Sequence, residues 1–100
     1  MKKALIAVSL IFSSYTQAAT YKIIMGAMSY TPEVLTAKIG DTIIWVNKDI
    51  SVHSATAKDN AFSSGSIRSK KSWSYKAAVT GEHPYKCVFH PGMKGKLIIE

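Results

Sequence analysis

The sequence predicts an all-β fold, an antiparallel β-sandwich, on three observations. Runs rich in Val, Ile, Thr and aromatic residues follow one another at short intervals, and turn residues separate them. No window of ten or more residues carries a helical period.

Each run has its own signature. "TYKIIM" (20–25) is apolar enough for a buried strand, and "SYTP" after it reads as a turn. "EVLTAKI" (33–39) leads to Gly40-Asp41, a tight-turn pair, and then to "TIIWVN" (42–47). "VHSATA" (52–57) follows the polar "KDIS". "SWSYKA" (72–77) sets Trp73 and Tyr75 against polar neighbours at the period of a strand. "HPYKCV" (83–88) and "KGKLIIE" (94–100) close the chain. The one long irregular stretch, "KDNAFSSGSIRSKK" (58–71), has the Ser, Gly and Lys content of a surface loop, with Phe62 or Ile67 as the residue to turn inward. No repeat and no linker is visible.

The N-terminus bounds the setting. "MKKALIAVSLIFSSYTQAA" has two lysines, an apolar run from Ala4 to Phe12, and then small and polar residues, which is the layout of a secretory signal peptide. The run is too short for a bilayer span. Cleavage is expected after Ala18 or Ala19, with Ala18 favoured, so residues 1–18 form the leader and 19–100 a single exported domain without a membrane anchor. Two of the 13 basic residues lie in the leader, leaving 11 against six acidic ones and a net charge of +5. With no basic run longer than Lys70-Lys71, a nucleic-acid role is excluded in favour of solubility and attraction to acidic partners.

A domain this small buries a modest core and gains from a staple. A disulfide cannot supply it, because Cys87 is the only cysteine. A lone cysteine in an exported chain is a free thiol, half of an intermolecular bridge, or a metal ligand. The stretch "YKCVFHPGMKGK" favours the metal: Cys87, His90 and Met93 lie within seven residues, between the last two strands, where one sharp loop can aim all three at a point. His53 starts a distant strand, and in a sandwich the ends of non-adjacent strands meet at one pole, so it can close the site. A thiolate, two imidazoles and a thioether suit copper in an electron-transfer site, whereas zinc has little use for methionine. His83, on the incoming strand beside Pro84, reads as a satisfied rim histidine.

On these residues the chain resembles the cupredoxins, the type 1 blue copper proteins. The resemblance spans nearly all of 19–100. It includes "MSYTPEVLTAKIGDTIIWVN", the spacing from Trp45 to His53, the "FSSG" and "SWSY" stretches, and the ligand loop running into "MKGKLIIE". The two-residue gap between His90 and Met93 is that of the short-loop members. The resemblance implies a Greek-key β-sandwich of about seven to eight strands. It makes His53, Cys87 and His90 the strong equatorial ligands of one copper ion and Met93 the long axial one. Two residues depart from the pattern: Ser54 stands where the family has an asparagine that ties the ligand loops together, and Phe89 stands where short-loop members have a proline. A serine hydroxyl can still bridge, and the N–H that Phe89 restores is expected to donate to the Cys87 sulfur.

With no open coordination position, no general base and no substrate-pocket motif, the expected activity is one-electron carriage in the periplasm and not enzymatic turnover. Electrons would pass through His90, within an apolar patch of Phe89, Pro91, Met28 and Val52. Lys86, Lys94 and Lys96 are available to ring that patch. The partners are redox proteins, and the resemblance implies a periplasmic dehydrogenase as donor and a c-type cytochrome as acceptor, with the carrier a monomer. Two rival readings are a copper storage or delivery protein of the cell envelope and a zinc-stabilised interaction domain.

Overall fold

The computed structural model describes residues 17–100. The leader expected over 1–18 therefore lies, except for its last two residues, outside the described residues. Eight strands follow in order: β1 (Thr20–Gly26), β2 (Ser29–Thr31), β3 (Val34–Ala37), β4 (Thr42–Asn47), β5 (Thr56–Ala57), β6 (Ser72–Lys76), β7 (Gly81–Cys87) and β8 (His90–Ile99). They form two four-stranded sheets, ordered β2-β1-β4-β6 and β3-β8-β7-β5, and no helix occurs among the described residues. Both sheets are mixed. Strand β1 runs parallel to β4 and β3 runs parallel to β8, so the expectation of purely antiparallel pairing is corrected. The tight turn at Lys38–Asp41 carries the chain from β3 in one sheet to β4 in the other.

Alternation explains the core. In β4 the residues Ile43, Trp45 and Asn47 point inward and are buried, while Thr42, Ile44 and Val46 lie half-buried between them. Trp45 packs between Phe62 and Tyr85, with ring centroids at 5.4 and 5.5 Å, and Tyr30 closes on Tyr85 at 4.6 Å. Ile23, Met25, Leu97 and Ile99 fill the remainder. Phe62 and Ile67, the two candidates in the long loop, are both buried. The glycine facing the aromatic cluster is dictated by space: a Cβ on Gly95 would run into the Tyr85 ring.

Three boundaries differ most from the sequence reading. "SYTP" is not a turn but strand β2, paired with β1 through a two-residue hairpin in which Ala27 and Met28 take positive φ. The strand read at 52–57 shrinks to Thr56–Ala57, and His53 joins by a single bridge to Ile67. At the C-terminus β8 begins at His90, so only Val88 and Phe89 form the turn, and a bulge at Lys86/Cys87 accompanies it. The Gly40-Asp41 turn is as read. Gly40 has φ +91°, and the Asp41 carboxylate accepts the backbone N–H groups of Lys38 and Ala19, both at 2.8 Å.

Candidate metal centre

At one pole of the sandwich three of the four predicted residues meet through their donor atoms. The His53 and His90 imidazoles and the Cys87 sulfur all lie within 4.8 Å of one another. Cys87 Sγ is 3.8 Å from His53 Nδ1 and 3.5 Å from His90 Nδ1. An ion bonded to sulfur at about 2.3 Å and to nitrogen at about 2.0 Å, with angles between tetrahedral and trigonal, would set S and N about 3.5–3.8 Å apart. The site therefore has the dimensions of a metal-binding set of two nitrogens and one sulfur. Met93, the fourth candidate, is buried on β8 three residues beyond His90.

Local folding fixes each donor. Cys87 ends β7 and His90 begins β8, paired directly across the two-residue turn, so a tight hairpin holds both. The backbone of His53 is pinned to Ile67 in both directions, N–H to O at 3.1 Å and O to N–H at 2.7 Å. Its ring is oriented from behind, because Nε2 contacts Asp49 Oδ2 at 2.9 Å. With a proton on Nε2 donated to that carboxylate, Nδ1 carries the lone pair that faces the sulfur. The same hydrogen bond is the first cause holding the Asp49 carboxyl below the usual carboxylate range, and the Ile50 N–H adds to it.

Asn47 organises the loop that carries Asp49, a role the sequence did not signal. Fully buried, it donates from Nδ2 to Ser51 O at 2.8 Å and to Ile67 O at 2.9 Å, and its Oδ1 accepts the Asp49 N–H at 2.9 Å. An asparagine at the end of an apolar strand, just before a polar loop, is the sequence pattern that could have pointed to it.

Ser54 does what its hydroxyl allowed: Oγ accepts the Val88 N–H at 3.0 Å, tying the His53 segment to the residue after Cys87. The Phe89 N–H expected on the sulfur is not among its hydrogen bonds, whose partners are the two imidazoles. In this tight turn the preceding amide, that of Val88, is the one drawn inward. His83 lies outside the cluster, as read. It is buried, with Nδ1 on the Asp59 carboxylate and Nε2 on Val79 O at 2.8 Å. Both partners are acceptors, so the arrangement favours the doubly protonated ring, which can donate from both nitrogens. Burial pulls its pKa down, but the Asp59 hydrogen bond, the Val79 carbonyl and the Asp59 charge outweigh burial and raise it.

The metal-facing surroundings are graded. His53 and Cys87 are fully enclosed, whereas His90 is half-buried at the end of a turn whose Val88 and Phe89 are exposed, and Met28 is exposed too. Val52 is only half-exposed, and Ile50, which the sequence reading passed over, is 88% exposed. Lys96 pairs loosely with Glu82 at 3.7 Å, six residues along β8 from His90.

Residues 2–99 match the cupredoxin-like domain family, and the chain belongs to that family. Its relatives within it are amicyanins. It is 30% identical over 78 residues to the amicyanin of Paracoccus denitrificans, covering 73% of this chain and 60% of that one. It is 33% identical over 75 residues to the amicyanin of Paracoccus versutus, covering 70% and 56%. The chain thus spans less than two thirds of the length of these relatives. Among solved structures, a reduced proline-to-phenylalanine variant of amicyanin superposes with a TM-score of 0.74 at 26% identity, over 81% of this chain and 82% of that one. The donor set of His53, Cys87, His90 and Met93 is suited to a single type 1 copper ion.

Proposed function

We propose that this protein carries single electrons between redox proteins of the periplasm, using one copper ion held by His53, Cys87, His90 and Met93. The observation that carries the proposal is the enclosed arrangement of two imidazoles and a thiol at His53, Cys87 and His90, within 4.8 Å, on a hairpin that also supplies Met93. When bound, copper would supply reversible one-electron exchange between Cu(II) and Cu(I), and a donor set of two imidazoles, a thiolate and a thioether suits both states. The protein's residues supply the rest. Cys87 and His53 exclude water, and Asp49 fixes the His53 tautomer. Ser54 joins the two ligand segments so that neither has to move far when the charge at the centre changes.

His90, half-buried beside the exposed Val88 and Phe89 of its turn, is the proposed point of electron exchange, since brief docking suits a small apolar patch. The proposed carrier has no turnover of its own, is exported by the leader at 1–18 and works as a monomer. A periplasmic dehydrogenase as donor and a c-type cytochrome as acceptor complete the proposal. Storage or delivery of copper fits less well, because exchangeable metal needs accessible ligands and three of these, His53, Cys87 and Met93, are fully buried.

One spectrum tests the reading. Purified protein given Cu(II) is expected to show an intense blue thiolate-to-copper band that bleaches on reduction. Copper uptake without that band points to storage or delivery, and zinc retention in its place points to an interaction domain.

A further inference from the structure

Beside the metal pole, two adjoining segments gather positive charge. The turn Arg68–Lys71 is hydrogen-bonded back onto the end of β4: Lys70 N–H donates to Asn47 O and Asn47 N–H to Lys71 O, both at 2.9 Å. Lys70 also reaches across, its Nζ donating to Lys48 O at 3.1 Å. Lys48, Arg68, Lys70 and Lys71 are all solvent-accessible, and none has a carboxylate within ion-pair distance among the described residues. Only six acidic residues exist in the sequence, and three of them serve internal partners: Asp41 the turn at Lys38, Asp49 His53, and Asp59 His83. The neighbouring acid, Asp49, is turned inward to His53. Next to it stands Ile50, 88% exposed.

We propose that Lys48, Arg68, Lys70 and Lys71, with Ile50 among them, form a docking surface for a carboxylate-rich face of a partner protein, distinct from the apolar patch around His90. Four uncompensated cations on a rigid, hydrogen-bonded turn favour encounter with an anionic surface and fix its orientation. The apolar side chain among them gives the contact a residue to bury, which diffuse charge attraction does not need. The loop bearing Lys48 and Ile50 also holds Asp49, whose carboxylate touches His53 at 2.9 Å, so a partner seated here lies one hydrogen bond from a proposed ligand. The purpose of the surface rests on the carrier reading, but docking can be measured without copper.

The test uses cytochrome b5, a strongly acidic redox protein, as probe. It is titrated into the isotope-labelled mature protein at low ionic strength while amide shifts are followed. Shift changes are expected at residues 48–51 and 68–71, fading as salt is raised through the range where the Debye length falls to about 10 Å. The triple variant Lys48→Glu, Lys70→Glu, Lys71→Glu should bind at least about tenfold more weakly. A control of equal net charge, Lys22→Glu, Lys38→Glu, Lys76→Glu, should keep affinity within about threefold of native, because its lysines lie away from the metal pole. Glutamine in place of glutamate at 48, 70 and 71 should give a smaller loss in the same direction, and serves if the reversal variant does not fold.

Equal weakening by patch and control would overturn the proposal, showing that net charge alone acts. So would shift changes confined to residues 88–91, or patch-dependent binding to phosphatidylserine vesicles tighter than to cytochrome b5, which would assign the surface to lipid. If copper gives no blue band yet docking follows the patch, the carrier reading fails and the surface stands.

Discussion

Replacing Ser54 by alanine removes a single oxygen from the interior of the metal pole. That oxygen accepts the Val88 N–H at 3.0 Å and contacts Thr56 Oγ1 at 3.1 Å, and the residue is fully buried. An average hydrogen bond contributes about 0.5–1.5 kcal/mol, but a donor facing the interior, as in this part-buried bond, raises the cost of losing its acceptor to about 1–3 kcal/mol. We expect the metal-free Ser54→Ala protein to lose about 2 kcal/mol. For a domain of this size each kcal/mol shifts Tm by about 4–8 °C, so the melting point should fall by about 8–16 °C. Denaturant unfolding checks this: the midpoint should move with the slope unchanged, because the surface exposed on unfolding is nearly the same. The variant should also bind copper at least about tenfold more weakly, since the tie between the His53 and Cys87 segments supports the donor spacing. Ser54→Thr, which keeps the hydroxyl, should recover most of both effects. A Ser54→Ala protein within about 0.5 kcal/mol of native and with native copper affinity would refute the reasoning, because Val88 would then be satisfied without the serine.

Cys87→Ser should abolish the blue band while circular dichroism and melting of the metal-free protein show a retained sandwich; a variant that stays blue would remove Cys87 from the site. Gly95→Ala drives a methyl into a Tyr85 ring that Tyr30, Trp45 and Phe62 hold in place, so a loss of about 3 kcal/mol or more is expected, partly recovered by Tyr85→Leu in the double variant. The His83–Asp59 pair predicts a pH dependence. The raised pKa of His83 gives stability that is full below its unfolded value near 6.5 and lost as pH rises through the folded value. The Asp59 carboxyl, lowered first by the Ala61 N–H and then by His83, gives stability present above about 4 and lost as pH falls. Unfolding free energy should therefore be highest between about pH 4 and 6.5 and decline through neutrality, and His83→Gln should flatten that decline.

The sandwich was legible because strand periodicity and turn chemistry are local, and β1, β4 and β6 fell where "TYKIIM", "TIIWVN" and "SWSYKA" placed them. The direction of pairing was not, since β1 finds β4 and β3 finds β8 through contacts no local pattern encodes. Strand β2 was hidden because Tyr30 lies in a three-residue strand beside Pro32, where turn residues outweigh strand-formers. In the site, the donor types and the Cys87–His90–Met93 spacing pointed to the cluster. The positions of Asp49, Asn47 and Ile67 around His53 were silent, because each acts through a fold-dependent hydrogen bond. The same limit explains Phe89: which amide of a two-residue turn faces inward depends on the turn's geometry and not on which residue lacks an N–H.

The distance between the parts of the site along the chain has a consequence for how the protein matures. Cys87, His90 and Met93 are brought together by a hairpin, which forms fast, whereas His53 arrives from 34 residues upstream, with the slower parallel pairings of the sandwich. Until that closure the only thiol of the chain stands on a local hairpin without the enclosure it later has, open to oxidants and to mixed disulfides. Survival of Cys87 as a thiol is thus a race between chain closure and chemistry. The yield of usable protein depends on folding speed even where the folded state is equally stable.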